Sequence, residues 1–191
     1  MANSHPRRSP LAMAVLIILA QEPLHPYGLR QRIRDWGKDT VVNVSQRNAI
    51  YQIMERLERS GLIAVRETTR NEKRPERTIY ETTPAGEAVS KQWLLEMLSA
   101  PSHEYPEFPA ALAFIGVLSH DEKLRVLEDR AKILEQDINR MASEVDASVA
   151  AFPGGVDRIY LVEVEYVQTI WQAELNYVRQ LVDDLRAGKL D

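Results

Sequence analysis

The chain has 191 residues, of which 45% are hydrophobic and 27% charged, a composition typical of a soluble globular protein. It contains no cysteine, which excludes a disulfide framework, a thiolate metal site and a cysteine nucleophile, and which fits a reducing cytoplasm. Residues 1–91 hold 15 Lys+Arg against 10 Asp+Glu, whereas residues 92–191 hold 9 against 18. The first half, with a net charge of +5, therefore suits a polyanion, and the acidic second half suits a different partner.

The start of the chain imitates an export signal. Two consecutive arginines precede ten apolar residues, 11–20. This run is far shorter than the ~20 residues that a membrane-spanning helix needs, and the Ser-Pro pair before it is a good start for a helix. We therefore predict a flexible tail over residues 1–9, a buried helix over 10–21 and no membrane partner.

A second helix is predicted over residues 28–36. Its apolar residues Leu29, Ile33 and Trp36 are spaced by four and three, so they predict one buried face. The β-branched segment that follows, residues 41–44, is too short for a helix. It predicts an extended connector or a small strand.

A third helix is predicted over residues 45–60, with Ser45 as its N-cap. Its buried stripe consists of Ile50, Ile53, Met54 and Leu57. Its outer face carries amide and guanidinium groups, on Gln46, Arg47, Asn48, Gln52 and Arg56. Because Gln and Asn pair with adenine and Arg pairs with guanine, the first-turn residues are candidate readers of base edges. An ordinary solvated helix face is the alternative.

Two segments rich in β-branched residues, 62–69 and 78–83, follow the third helix and predict a hairpin. Its charged tip, residues 70–77, carries four cations, Arg70, Lys73, Arg74 and Arg77. Each cation is able to neutralise a phosphate or to enter a minor groove. A helix followed by a basic hairpin is the arrangement with which a winged helix-turn-helix binds DNA, the helix in the major groove and the wing on the backbone.

Three segments carry a family resemblance: P-L-H-P-Y-G-L at 23–29, I-Y-Q-I-M-E-R-L-E-R-S-G-L-I at 50–63, and R-P-E-R-T-I-Y-E-T-T-P-A-G at 74–86. Over about residues 10–98 the chain closely resembles the winged-helix domain of PadR-like transcriptional regulators. The resemblance implies that Tyr51 contacts the DNA backbone or packs against the wing, a core aromatic being the alternative. The chain departs from the family pattern at Gln52, often a proline, and over residues 44–48, and these departures fall on the helix face that reads bases.

The remaining N-terminal elements are a fourth helix and a linker. Val89, Trp93 and Met97 lie four apart on one face of the fourth helix, which ends near residue 98. Residues 100–109 contain three prolines and mark a domain boundary, and a short apolar helix is predicted over 108–119.

Two long helices are predicted in the acidic half, on either side of a Pro-Gly-Gly break. The first has a heptad-like seam, formed by Leu124, Leu127, Ala131, Leu134, Ile138, Met141 and Val145. The second, over 157–187, has apolar residues at helical spacing, namely Ile159, Val162, Tyr166, Ile170, Ala173, Tyr177, Leu181 and Leu185. One such hairpin has a thin core, so it is expected to pair with a second copy or to pack on the first domain. The PadR-like resemblance favours the homodimer.

The predicted fold is mainly α-helical with a small β-hairpin. It consists of a winged helix-turn-helix domain at residues 10–99, a linker at 100–109 and a helical dimerisation domain at 110–191. We expect a homodimeric transcriptional regulator, acting as a repressor, that binds an inverted repeat in double-stranded DNA. A protein–protein adaptor that keeps the winged-helix fold is the alternative.

The sequence contains little that indicates an enzyme. Its four histidines are scattered, and it lacks a glycine-rich phosphate loop and a nucleophile elbow. We therefore predict no catalytic residue, no metal and no cofactor. The resemblance adds a small hydrophobic or aromatic effector as a candidate partner. Trp93 and Trp171 are either the lining of its site or core residues, so no ligand-binding residue is assigned.

Overall fold

Helices dominate the computed structural model, which describes residues 7–71 and 74–190, with only the backbone at residues 47, 69–71 and 74–77. Within this part of the chain, seven α-helices accompany a two-stranded antiparallel sheet, which confirms the predicted mainly helical fold with a β-hairpin. The chain divides into an N-terminal unit, Met1–His103, and a C-terminal unit, Glu104–Asp191.

The first helix, α1 (Pro10–Gln21), is the centre of the N-terminal core. The Ser9 side chain caps it by accepting a hydrogen bond from the Ala12 N–H at 3.2 Å. Because the helix is apolar nearly all round, half of its twelve residues are buried, and they include Val15 and Leu16, which are fully buried. Among the described residues, no helix is both long and apolar enough to span a bilayer.

The second helix, α2 (Pro26–Asp35), begins two residues before the predicted start because His25 caps it. The His25 Nδ1 atom accepts the Gly28 N–H at 2.7 Å. Leu29 and Ile33 are fully buried, but the prediction for Trp36 is wrong, since 40% of this residue is exposed. Trp36 lies just past the last helical residue, so its side chain leaves the buried face and contacts the Arg32 guanidinium instead.

The third helix, α3 (Arg47–Arg59), begins after an irregular connector in which no strand forms over 41–44. The predicted N-cap role of Ser45 is wrong. The Ser45 N–H and hydroxyl donate to Asn43 Oδ1 at 3.0 and 2.6 Å, so Asn43 makes a local turn and the helix starts later. Gln46 is the N-cap, and its side chain makes no capping hydrogen bond to the described residues.

The hairpin consists of β1 (Ile63–Asn71) and β2 (Arg74–Thr82), paired from Ile63 with Thr82 to Asn71 with Arg74. Both strands are longer toward the tip than predicted, because the ladder continues into the charged segment. The backbone of Tyr80 also exchanges two 3.0 Å hydrogen bonds with Leu24, which lies between α1 and α2. These two hydrogen bonds connect the hairpin to the helical core.

The helix α4 (Pro84–Ser99) follows the hairpin, capped by the Thr83 hydroxyl. Its buried Val89 and Trp93 complete the N-terminal core. The helix passes so close to the hairpin that a Cβ atom at Gly86 would lie 2.1 Å from the Leu62 carbonyl oxygen. Only a residue without a side chain fits this approach.

The C-terminal unit contains α5 (Glu107–Leu112), α6 (His120–Ala150) and α7 (Val162–Arg186). The prediction of one helix over 108–119 is wrong, because the backbone leaves the helical conformation at Phe114 and resumes as a 3-10 turn at Ile115–Val117. A capping box between Ser119 and Glu122 begins α6, and the hydrogen bonds from Ser119 lower the pKa of the Glu122 carboxyl group.

The packing of α7 on α6 differs from the prediction. The side chains of α7 that are buried are Leu175, Val178, Val182 and Leu185. Of the eight predicted positions, only Leu185 is buried, while five others are 44–69% exposed, namely Ile159, Val162, Tyr166, Ile170 and Tyr177. The helix therefore has two apolar stripes, and spacing alone does not tell which of them faces α6.

Arg130 of α6 joins the three helices of the C-terminal unit. Its guanidinium carbon lies 3.6 Å from the centre of the Phe108 ring of α5, and its Nε donates to Glu174 Oε1 of α7 at 2.7 Å. Two ion pairs, Arg179 with Glu135 and Arg186 with Glu128, connect α6 and α7 farther along.

We predict that Gly86→Ala destabilises the N-terminal unit, because the added methyl group collides with the Leu62 carbonyl. The expected loss of unfolding free energy is about 1–3 kcal/mol, measured by urea denaturation. Gly116→Ala is the matched control, since a Cβ atom there meets no atom within 4 Å. Equal stability of the two variants would contradict the close approach.

Candidate nucleic-acid interface

The outer face of α3 is a row of exposed side chains on the helix surface. We define it as Asn48, Tyr51, Gln52, Glu55 and Arg59. The opposite side of the helix is anchored by Ile50, Met54 and Leu57, which are at most 2% exposed. Because these three side chains fix the rotation of α3, the outer face has one orientation relative to the core.

Most of the predicted base-reading residues lie near the start of α3. Gln46, Asn48 and Gln52 are exposed, and Arg47 is the first helical residue, with a side chain outside the described set. The first turn also presents backbone N–H groups and the positive end of the helix dipole. The structure thus brings amide side chains and hydrogen-bond donors together at one end of the helix.

Glu55 and Arg59 were not among the predicted site residues. Both lie on the outer face of α3, where the Arg59 guanidinium is 3.9 Å from the Glu55 carboxylate and both side chains are more than 65% exposed. A carboxylate is able to accept from the amino group of cytosine, and a guanidinium is able to donate to guanine. Their spacings of seven and eleven residues from Asn48 are the signal that would have found them.

Tyr51 lies at the α2 side of this face. It is 50% exposed, so it is not an enclosed core aromatic, and it borders a small depression with Pro26 and Tyr27. At the opposite side, Arg56 does not lie on the exposed outer face as predicted: it is half-buried and donates to the Arg7 carbonyl oxygen at 3.4 Å. The first described residues therefore lie along the edge of α3.

The charged tip of the hairpin supplies the second predicted group. The backbone of Arg70, Arg74 and Arg77 belongs to the two strands, while their side chains and the whole of Lys73 lie outside the described residues. At the base of the hairpin, Arg66 pairs with Glu81 at 3.4 Å.

Tyr80 lies at the same end of the hairpin as this ion pair. Burial raises the pKa of its phenol, and the Glu58 carboxylate raises it further. The phenol therefore stays neutral near pH 7, and Tyr80 adds no charge to this surface.

The described residues offer little that would support another chemistry. They contain no group of three or more His, Cys, Asp or Glu side chains arranged to hold a metal ion. Trp93 belongs to the N-terminal core and Trp171 packs against the C-terminal core. A groove of about 360 Å³ between α6 and α7 is lined mainly by charged side chains, so it is not a hydrophobic pocket.

Comparisons with known proteins agree with this arrangement. Residues 15–92 match the model of the "Transcriptional regulator PadR-like family". The crystal structure of Bacillus subtilis PadR in complex with operator DNA is 18% identical, with 94% of this chain and 97% of that chain covered and a TM-score of 0.61. PadR from the same organism in complex with p-coumaric acid is 16% identical, with 92% and 98% covered and a TM-score of 0.70.

A PadR-like transcriptional regulator of Bacillus cereus is 14% identical, with 95% of this chain and 99% of that chain covered and a TM-score of 0.62. No curated protein sequence matches the chain. At these identities the solved structures show a common fold, and the similarity to the family lies in the match over residues 15–92. Residues 15–92 thus match the PadR-like transcriptional regulator family, and the chain shares the fold of the solved PadR structures along most of its length.

Proposed function

We propose that this protein is a homodimeric repressor that binds an inverted-repeat operator with the outer face of α3 in the major groove and the hairpin on the DNA backbone. The observation that carries the proposal is the exposed outer face of α3, held in one orientation by a fully packed inner stripe. The net charge of +5 over residues 1–91 supports a polyanionic partner.

The residue types on α3 support direct readout of bases. Asn48 and Gln52 lie one turn apart, so both side chains extend from the same part of the helix. A side-chain amide offers a donor and an acceptor together, which matches the major-groove edge of adenine. Arg47 would add a guanine contact or a phosphate contact at the start of the helix.

The exposed stripe of α7 supports the homodimer. Val162, Tyr166, Ile170 and Tyr177 are 44–67% exposed and follow one another at spacings of four, four and seven residues. A helical row of this length is suited to packing against another helix, and a two-fold symmetric pair buries both copies of the row. Dimerisation would present two α3 helices to successive major grooves, about 34 Å apart.

Release by a small aromatic effector is the last part of the proposal. A PadR structure contains p-coumaric acid, which makes a compound of that chemistry the first to test with this chain. A ligand that binds the DNA-free state more tightly shifts the population away from the operator complex. A dimer bound at a promoter would prevent other proteins from binding that DNA, and the effector would release the dimer.

A protein–protein adaptor is the second candidate. Glu55, with a side chain 67% exposed on the outer face of α3, favours it, because a carboxylate repels phosphates. A selection from random duplex DNA with the purified protein separates the two functions. Enrichment of one inverted repeat supports the regulator. The absence of any bound duplex at low salt would overturn the regulator and favour the adaptor.

We predict that Asn48→Ala and Gln52→Ala each relax the preference for one base pair in each half-site. The expected loss of discrimination is about 1–3 kcal/mol per position, because a bidentate amide contact disappears. Titration of the selected duplex and of single-base variants measures it. Gln172→Ala removes a matched exposed amide from α7 and is expected to leave every base preference unchanged.

We predict that joint replacement of Arg70, Lys73, Arg74 and Arg77 by alanine weakens binding to all duplexes alike. Each lost phosphate contact makes the negative slope of log affinity against log salt shallower by roughly 0.9. A control variant that loses the exposed cations Arg125 and Lys132 of α6 keeps the wild-type slope. An unchanged slope in the hairpin variant would exclude the wing from the phosphate backbone.

We predict that Ile170→Glu converts the dimer to a monomer, because a buried carboxylate without a partner destabilises the helix contact. Analytical ultracentrifugation measures the mass, and circular dichroism checks that the helices remain. Gln172→Glu places the same charge two residues away, off the exposed stripe, and is expected to remain dimeric. A wild-type monomer at all concentrations would refute the dimer.

A further inference from the structure

The segment that leads into α3 accepts two hydrogen bonds from an arginine of α2. The Arg30 Nε donates to the Val44 carbonyl oxygen at 3.0 Å, and its Nη2 atom donates to the Ser45 carbonyl oxygen at 3.2 Å. These two carbonyls immediately precede Gln46, the N-cap of α3. One guanidinium therefore contacts both peptide groups through which the chain enters the helix.

This contact connects two parts of the core that are fixed independently. The neighbours of Arg30 on α2, Leu29 and Ile33, are fully buried, so the arginine extends from a rigid helix. Val44 is 2% exposed and anchors the connector from the opposite side. With its backbone carbonyl held by Arg30 and its side chain in the core, this residue has little freedom to move.

The start of α3 depends on this contact because it has few others. The Gln46 side chain makes no capping hydrogen bond to the described residues, and Asn43 binds the Ser45 donors rather than the amides of the helix. A change in the connector would therefore shift the first helical turn, which carries Arg47 and Asn48. A shift of about 1 Å is enough to disturb a bidentate contact with a base edge.

We propose that Arg30 is a positioning residue, which sets the angle at which the first turn of α3 meets the bases by holding the carbonyls of Val44 and Ser45. The inference rests on the proposed DNA-binding function. It differs from a phosphate contact made by Arg30, because a contact with phosphate strengthens binding to every sequence, whereas positioning affects only the correct sequence.

Replacement of Arg30 by lysine distinguishes the positioning role from a phosphate contact. An ammonium group keeps the positive charge, but it lacks the planar fork that reaches two successive carbonyls from one side chain. Arg30→Lys therefore preserves a purely electrostatic role and removes the positioning role. Arg30→Ala removes both. Arg34→Lys makes the same chemical change at an exposed arginine one turn farther along α2 and serves as the matched control.

The experiment measures the affinity of each full-length protein for the selected duplex and for a scrambled duplex of equal length. We expect the ratio of the two affinities to fall about tenfold or more in Arg30→Lys and Arg30→Ala, because hydrogen bonds from a charged donor are lost. In Arg30→Lys the affinity for the scrambled duplex is expected to stay within about twofold of the wild type. Arg34→Lys is expected to change neither quantity.

The other possible results of this experiment overturn either the positioning role or the proposed function. A wild-type affinity ratio in Arg30→Lys overturns the positioning role. An equal loss of affinity for both duplexes in Arg30→Ala also overturns it, and identifies a phosphate contact. A wild-type protein that does not distinguish the two duplexes overturns the proposed function itself, and the role of Arg30 with it. Circular dichroism and thermal melting are recorded for every variant, and Arg30→Lys decides the question if Arg30→Ala does not fold.

Discussion

Burial of the inner stripe of α3 is the constraint on which the N-terminal unit depends. Ile50, Met54 and Leu57 together leave almost no surface in water, and each such side chain contributes about 1.5–3 kcal/mol when it is buried. A rotation of α3 by one residue, about 100°, would expose this stripe and bury the amides of Asn48 and Gln52. Hydrophobic packing thus decides which polar groups meet a partner.

In the C-terminal unit, hydrophobic burial concerns two separate stripes of one helix, α7. One stripe of α7 is covered by α6, and the cross-helix ion pairs of Arg130, Arg179 and Arg186 fix the register of the two helices. Its other stripe, which includes Tyr166 and Ile170, meets solvent in the single chain. An exposed row of apolar side chains costs free energy in water, and a second helix against it recovers that free energy.

Local chemistry made several elements predictable. The Ser9-Pro10 pair starts α1, and the stripe of α3 follows the helical period with Ile50 buried as predicted. The errors arise where two local interactions compete. Asn43 accepts hydrogen bonds from the N–H and hydroxyl of Ser45 and holds this residue in a local turn, so the third helix begins later. The change of backbone direction at Trp36 removes that side chain from its expected face. Tertiary contacts decide which of the competing interactions forms, and the spacing of residues in the sequence gives no information about those contacts.

The outer face of α3 also depends on tertiary contacts, which fix the rotation of the helix. The residue type and its place in the third helix identified Asn48 as a candidate base reader, and the rotation of α3 shows that Glu55 lies on the same exposed surface. In the proposed complex this carboxylate is unfavourable beside phosphates and beside any base that offers it no donor. It would weaken binding to most sequences more than to one that presents a cytosine amino group. A negative charge within a basic unit can therefore increase selectivity even though it lowers overall affinity.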